Sequence, residues 1–404
     1  MQLRRQVLEN VEGLGGCHSV KCTSSARCFE VQLTHQIPKD LKLDNGDVID
    51  CVDFYSQPAM EDPYIRENSK MKARKAESKF HEPVNEKLGG VGPRRWSCPP
   101  GSVSFLKATK AGPLNYSALD SFTRSRAKFF SESNNIEPLD DPTQHEHALA
   151  HVDDGEYRGG QGTFNIWQPI LEDRDEMSLM QIWVVRRTTI SDTEANIETV
   201  EAGYMVQPSI FGDHSTRFFF FTTNNSYQTS LYGDTGKKPF RNNRLRFVRQ
   251  SDDVPFGMEL TPISSFDGDQ GAADIKIQRN DAGDWELSVS ESEVGFWPRS
   301  NYLDSFPFAT MVRWGGEIVN HEKTGRHTST QMGSGHFSSE GIGKAAYVIG
   351  MGLFDSQGRL YDAPNELNTF ATNPMCYDVT LWKDDNLGSY ITVGGPGYDR
   401  EKCP

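Results

Sequence analysis

The chain has 404 residues, enough for a large core and more than one domain. A hydrophobic content of 36% and a mean hydropathy of −0.60 fit a soluble globular protein. No apolar run approaches the roughly 18 residues of a membrane span, and the longest, Ala345 to Phe354, is broken by glycines. The formal charge of −14 is uneven, with residues 1–141 summing to +1 and residues 142–404 to −15. Phosphate repels such an acidic surface, so nucleic-acid binding is not expected.

In chain order, the start from Met1 to Asn10 lacks the apolar stretch of a secretory signal. Residues 1–45 hold the closely spaced Cys17, Cys22 and Cys28 and are left unassigned. From Gly46 to about Pro100 the chain is polar and rich in proline and charge, with apolar anchors at Val48, Ile49, Val52, Phe54 and Tyr55. This reads as a small N-terminal domain with a strand or two. The basic stretch Lys70 to Lys79 is read first as a solvated linker, with pairing to the acidic C-terminal part as the alternative. Ala118 to Phe130 has helical spacing, and the polar, proline-bounded segment 131–142 reads as a linker and processing region. We therefore expect domains at 46–141 and 142–404.

Beyond residue 142 the pattern changes to short apolar or alternating runs separated by Gly, Asn, Asp and Pro. Among them are Gly162 to Trp167, Met180 to Arg186, Arg217 to Thr223, Asp274 to Gln278, Trp285 to Val289, Met311 to Asn320, Ala345 to Gly350 and Tyr390 to Val393. Many short strands with turn spacing and almost no helical periodicity predict an all-β domain, an antiparallel β-sandwich.

Two of these runs carry a carboxylate. Strand alternation puts Glu201 on one face with Gly203 and Met205, and Glu317 on one face with Arg313 and Gly315. A glycine beside each glutamate leaves a gap where another backbone can approach. Two carboxylates held together can hydrolyse an amide without a metal: one takes a proton from water, the other protonates the leaving nitrogen. Mutual repulsion separates their protonation, which predicts activity in acid. A strand glutamate taken alone is more often exposed or salt-bridged.

The blocks around this pair resemble one family. Glu201-Ala-Gly-Tyr-Met-Val-Gln-Pro208, Trp314-Gly-Gly-Glu-Ile-Val-Asn320 and His327-Thr-Ser-Thr-Gln-Met-Gly-Ser-Gly-His-Phe337 look like the neprosin family of plant glutamic endopeptidases. Ser178-Leu-Met-Gln-Ile-Trp183, Gly295-Phe-Trp-Pro298 and Gly394-Gly-Pro-Gly397 match it too, and the resemblance begins at about Gly46. Gly46 to Pro58 and Ser97 to Gly101 are similar to its propeptide. The resemblance implies an acid-activated proenzyme with Glu201 and Glu317 as the catalytic pair, acting on proline-containing peptides or proteins. It implies no cofactor, a propeptide that covers the cleft, and a secreted, extracellular or vacuolar setting.

It also implies a disulfide between Cys376 and Cys403, with Cys51 and Cys98 as a second bridge inside the propeptide. Family members carry a further cysteine pair after the block matching Gly233 to Gly236, where this chain reads Lys237 to Arg246 instead. Candidate hydrogen-bond donors to substrate are Gln181, Tyr204, Gln331, Ser334 and His336, with Trp297 and Trp314 as candidate walls of an apolar pocket. Tyr204 is the weakest, because alternation turns it away from Glu201.

Other signals are weaker. Asn115 and Asn224 head acceptor triplets for N-glycosylation. His145-Glu-His-Ala-Leu-Ala-His151 holds three imidazoles but is not a His-Glu-x-x-His helix, so no metal is assigned. The rival reading is a catalytically inactive sandwich that binds cell-wall polysaccharide or peptide.

Overall fold

The computed structural model describes residues 19–22, 28–31, 40–69, 96–115, 117–118, 144–191, 194–234, 245–321 and 325–404. The chain divides into two units, residues 1–39 and residues 40–404. Of the first, a hairpin is described in which Ser19–Cys22 pairs antiparallel with Cys28–Val31. The basic stretch 70–79, the helical spacing over 119–130, the linker 131–142 and positions 237–244 of the replaced loop lie outside the described residues.

At the front of the second unit, Asp40–Lys42, Val48–Asp53, Ser102–Thr109 and Gly112–Pro113 form a four-stranded antiparallel sheet. The Cys51–Cys98 disulfide is formed, with its Cα atoms 5.6 Å apart. So small a sheet cannot bury much apolar surface alone. Its Phe54, Met60, Ile65 and Val103 pack instead with Val248 and Phe296 of the larger domain in one shared cluster.

The larger domain is an antiparallel β-sandwich. Five strands of its seven-stranded sheet matter here: β1 (Gln144–Val152), β2 (Met177–Ser191), β3 (Glu194–Val206), β4 (Arg217–Thr223) and β5 (Met311–Asn320). They lie side by side in the order β4, β3, β2, β5, β1, flanked by Ser230–Tyr232 and Asn368–Ala371. The first nine residues of β2 and all seven of β4 are buried, as expected of strands covered on both faces.

A nine-stranded sheet covers one face. Trp314 Nε1 donates to the Gln161 carbonyl at 2.9 Å, and the Tyr204 hydroxyl donates to the Asn165 carbonyl. Gly160 and Gly162 make this approach possible, since a Cβ on Gly160 would lie 2.8 Å from Val312 Cγ1 and one on Gly162 would lie 3.3 Å from Trp314 Cδ1. The expected strands appear with small extensions: Arg217–Thr223, Trp285–Val289 and Met311–Asn320 keep their bounds, and Met180 to Arg186 grows into β2. A second disulfide, Cys376–Cys403, is also formed. Among the described residues no helix is long and apolar enough to cross a membrane.

Candidate active site

Register determines which side chains meet on the other face of the seven-stranded sheet. Glu201 stands opposite Phe221 on β4 and Trp183 on β2, and Trp183 stands opposite Arg313 on β5. Two residues along β2, Gln181 stands between Gly203 and Gly315. Two further along, Leu179 stands between Met205 and Glu317, and Glu317 faces His147 on β1. Both glutamates therefore share a face, two strands apart and offset by four residues, with Gln181 in the row between them. In a flat sheet that offset is about 13 Å along the strands and about 10 Å across them.

Both carboxylates are fully buried. A buried charge is stable only when its oxygens are satisfied, and the two glutamates achieve this in different ways. Glu201 takes neutral donors: Thr199 Oγ1 at 2.8 Å and the Tyr227 hydroxyl at 2.9 Å on Oε1, and Gln181 Nε2 at 3.1 Å on Oε2. Glu317 takes imidazoles. His145 Nδ1 lies 2.6 Å from Oε1, and His147 Nε2 lies 3.6 Å from Oε2. The indole of Trp183 connects the two environments, because Trp183 is the cross-strand neighbour of Glu201 and its ring centroid lies 6.1 Å from that of His147. Arg313 feels the charges of Asp153, Tyr227 and Glu201, which oppose the larger effect of burial on its guanidinium.

The glycines do admit another backbone, and it is that of the adjacent strand: the Met180 carbonyl at Gly203 and the Ala148 carbonyl at Gly315. A Cβ on Gly203 would sit 2.5 Å from Gln181 Cβ, and one on Gly315 would sit 2.7 Å from Leu149 Cβ. They make room for tight packing of neighbouring strands around Gln181.

Of the expected donors, Gln181 is in the site. Tyr204 is not, because it points into the sandwich, where burial pushes its hydroxyl well above the ordinary tyrosine value. Trp314 also points inward, and Trp297 packs at 5.1 Å and 6.0 Å from the rings of Phe247 and Phe220, so neither walls a pocket at the glutamates. Gln331, Ser334 and His336 belong to a segment whose Met332 fills the inward side of Gly316, away from Glu317. There Gln331 Oε1 accepts from the Ile170 N–H at 3.0 Å, Ser334 Oγ accepts from the His336 N–H, and His336 stacks on Phe266 beside Glu340.

Of the two acceptor asparagines, Asn224 is half-buried and its Nδ2 donates to the Asn301 carbonyl at 2.7 Å, whereas Asn115 is exposed. His151 pairs with Asp153 at 2.6 Å rather than joining His145 and His147 at Glu317. Residue reading had missed His145, His147, Thr199, Tyr227 and Trp183. Alternation along β1, which places His145 and His147 on one face, was the available signal for two of them.

The family described as Neprosin matches residues 174–396, and the one described as Neprosin activation peptide matches residues 41–151. Two solved structures of scytalido-glutamic peptidase are similar, one with a transition state analog inhibitor and one with a peptide based transition state analog. Each is 8% identical and covers 63% of this chain and 99% of that chain, with TM-scores of 0.29 and 0.30. An activation segment ahead of an all-β domain defines a peptidase made as a proenzyme. The chain belongs to the neprosin family.

Proposed function

We propose that the chain is the proenzyme of a glutamic endopeptidase in which Glu201 and Glu317 hydrolyse a peptide bond lying over Gln181. One observation carries this reading: two fully buried carboxylates on one sheet face, each held by its own polar partners. One glutamate takes a proton from water as its oxygen attacks the carbonyl carbon. The other gives a proton to the leaving nitrogen as the C–N bond breaks, so the products are a free acid and a free amine. Gln181 Oε1, buried and without a hydrogen-bond partner, is placed to accept a substrate N–H.

Because Glu201, Glu317 and Gln181 are all buried in the single chain, substrate reaches them after a covering segment leaves. We assign that step to acid processing between about residues 130 and 145. Cleavage after proline and a secreted, extracellular or vacuolar setting are carried by the family likeness, since neither Trp297 nor Trp314 lines the site. The test is incubation at about pH 3, an acidity at which other two-carboxylate peptidases are active, followed by a proline-containing peptide. Wild type should cleave it, and Glu201→Gln and Glu317→Gln should each lose at least about 1000-fold in kcat. A wild-type protein without acid activity, or a glutamine variant with full activity, would overturn the assignment.

A further inference from the structure

Two side chains of β2 on the candidate face each keep a buried polar atom without a hydrogen-bond partner: Gln181 Oε1 and Trp183 Nε1. Gln181 enters the reading above as an acceptor. Trp183 offers the opposite. Its residue is 1% exposed, and its indole N–H can only donate. Burying such a donor unpaired is unfavourable, so its retention calls for an explanation.

Trp183 stands directly across from Glu201, and its ring packs near His147, the residue opposite Glu317. It therefore lies between the two carboxylates, both of which already have donors of their own. Carboxylates can take or give a proton but cannot stabilise the negative charge that develops on the carbonyl oxygen as water attacks. That charge needs a fixed donor in a dry site.

We propose that the Trp183 indole N–H is this donor, a catalytic residue that hydrogen-bonds the oxyanion of the tetrahedral intermediate. The inference rests on the peptidase reading. Water adds to the carbonyl carbon, its proton passes to one glutamate, and the electron pair displaced from the C=O π bond settles on the oxygen that Trp183 holds. Expulsion of the amine then restores the carbonyl. The N–H of Trp183 is donated throughout and never transferred.

The test is Trp183→Phe, which keeps an aromatic ring and removes the donor. After acid activation, kcat should fall about 100-fold with KM nearly unchanged, the usual loss for one oxyanion donor. The variant should also melt at or above the wild-type temperature, because an unpaired buried donor has gone. Unchanged kcat, a rise confined to KM, or activity lost only in step with a several-degree fall in Tm would each overturn the inference.

Should Trp183→Phe not fold, 15N-tryptophan-labelled, acid-activated wild-type protein carries the test. A peptide with a hydroxyethylene group in place of the scissile bond should move one indole N–H resonance downfield, and no movement overturns the proposal. An inactive wild type overturns the peptidase reading and this inference together. An active wild type with an unaffected Trp183→Phe overturns this inference alone.

Discussion

Glu317 has its Oε1 held by His145 at 2.6 Å between two buried groups, the shorter of its two imidazole contacts and one that orients the carboxylate. A shift of about 1 Å in a reacting group can reduce turnover about 100-fold. His145→Phe is therefore expected to lower kcat by about that factor, whereas His145→Asn, whose amide can take the place of Nδ1, should stay within about tenfold of wild type. Equal kcat in both variants, measured on folded and activated protein, would show that His145 does not position Glu317. Gly203 provides a stability counterpart, because a Cβ there meets the Gln181 side chain and the Met180 carbonyl of the adjacent strand. Gly203→Ala should destabilise by at least about 2 kcal/mol, seen as a fall in Tm of several degrees. An unchanged Tm would mean that β2 and β3 can spread at no cost.

These residues also show what could be read from the sequence. The strands around Glu201 and Glu317 were legible because alternation is local, and their shared face follows once the strands are aligned. The imidazoles at Glu317, the Tyr227 hydroxyl at Glu201 and the indole between them were not, because they depend on cross-strand register and on a turn after β4. Trp314 was misplaced for a related reason, and Trp297 because its strand, Ser292–Trp297, belongs to the other sheet. An aromatic residue near a glutamate in sequence occupies the opposite face whenever the interval is odd, as it is between 314 and 317.

At the scale of elements, the activation segment behaves as an extension of the sandwich. Gln57 binds Arg249 like one more strand: its Oε1 accepts the Arg249 N–H at 2.8 Å and its Nε2 donates to the Arg249 carbonyl at 3.2 Å. The Arg249 guanidinium, held by Asp234 at 3.2 Å, reaches Ser104 of the activation sheet at 3.3 Å. Gln57→Leu would leave both backbone groups of a buried residue unpaired, a loss of about 2–4 kcal/mol in docking. Acid processing of this variant should be faster than that of wild type, and amide exchange in Val48–Asp53 should rise. Wild-type rates for both would place the main docking energy in the Phe54, Met60 and Val103 cluster instead.

Across the whole molecule, the groups expected to respond to acid lie where the activation segment meets the sandwich. Arg217 of β4 is fully buried, and its Nη1 lies 2.8 Å from Asp47 of the activation segment, while its Nη2 lies 2.6 Å from Asp213. Arg217 stands opposite Met205, in the row that contains Glu317, so the segment grips the candidate face at one end. Beside it, Asn45 donates to Glu259 at 2.7 Å and Lys110 pairs with the same carboxylate at 3.4 Å. Burial alone would push Glu259 up. Hydrogen bonds from Asn45 and Ser215, with the charges of Lys110 and Arg217, outweigh it and hold the carboxyl below its ordinary value. Asn45 and Lys110 leave with the activation segment, so undocking returns Glu259 toward about 4.3. The docked form then binds fewer protons than the undocked form in this range. Its contribution to docking is complete above the undocked value and is lost as the pH falls from there through the lower, docked value. Measured in Glu317→Gln protein, which cannot process itself under the proposed mechanism, amide exchange in Val48–Asp53 corrected for its intrinsic rate should rise steeply below about pH 4. Adding Glu259→Gln should weaken docking at neutral pH and flatten that rise. If the double variant shows the same rise at the same pH, Glu259 does not contribute to acid release, and the Asp47–Arg217–Asp213 clamp becomes the next group to neutralise by mutation.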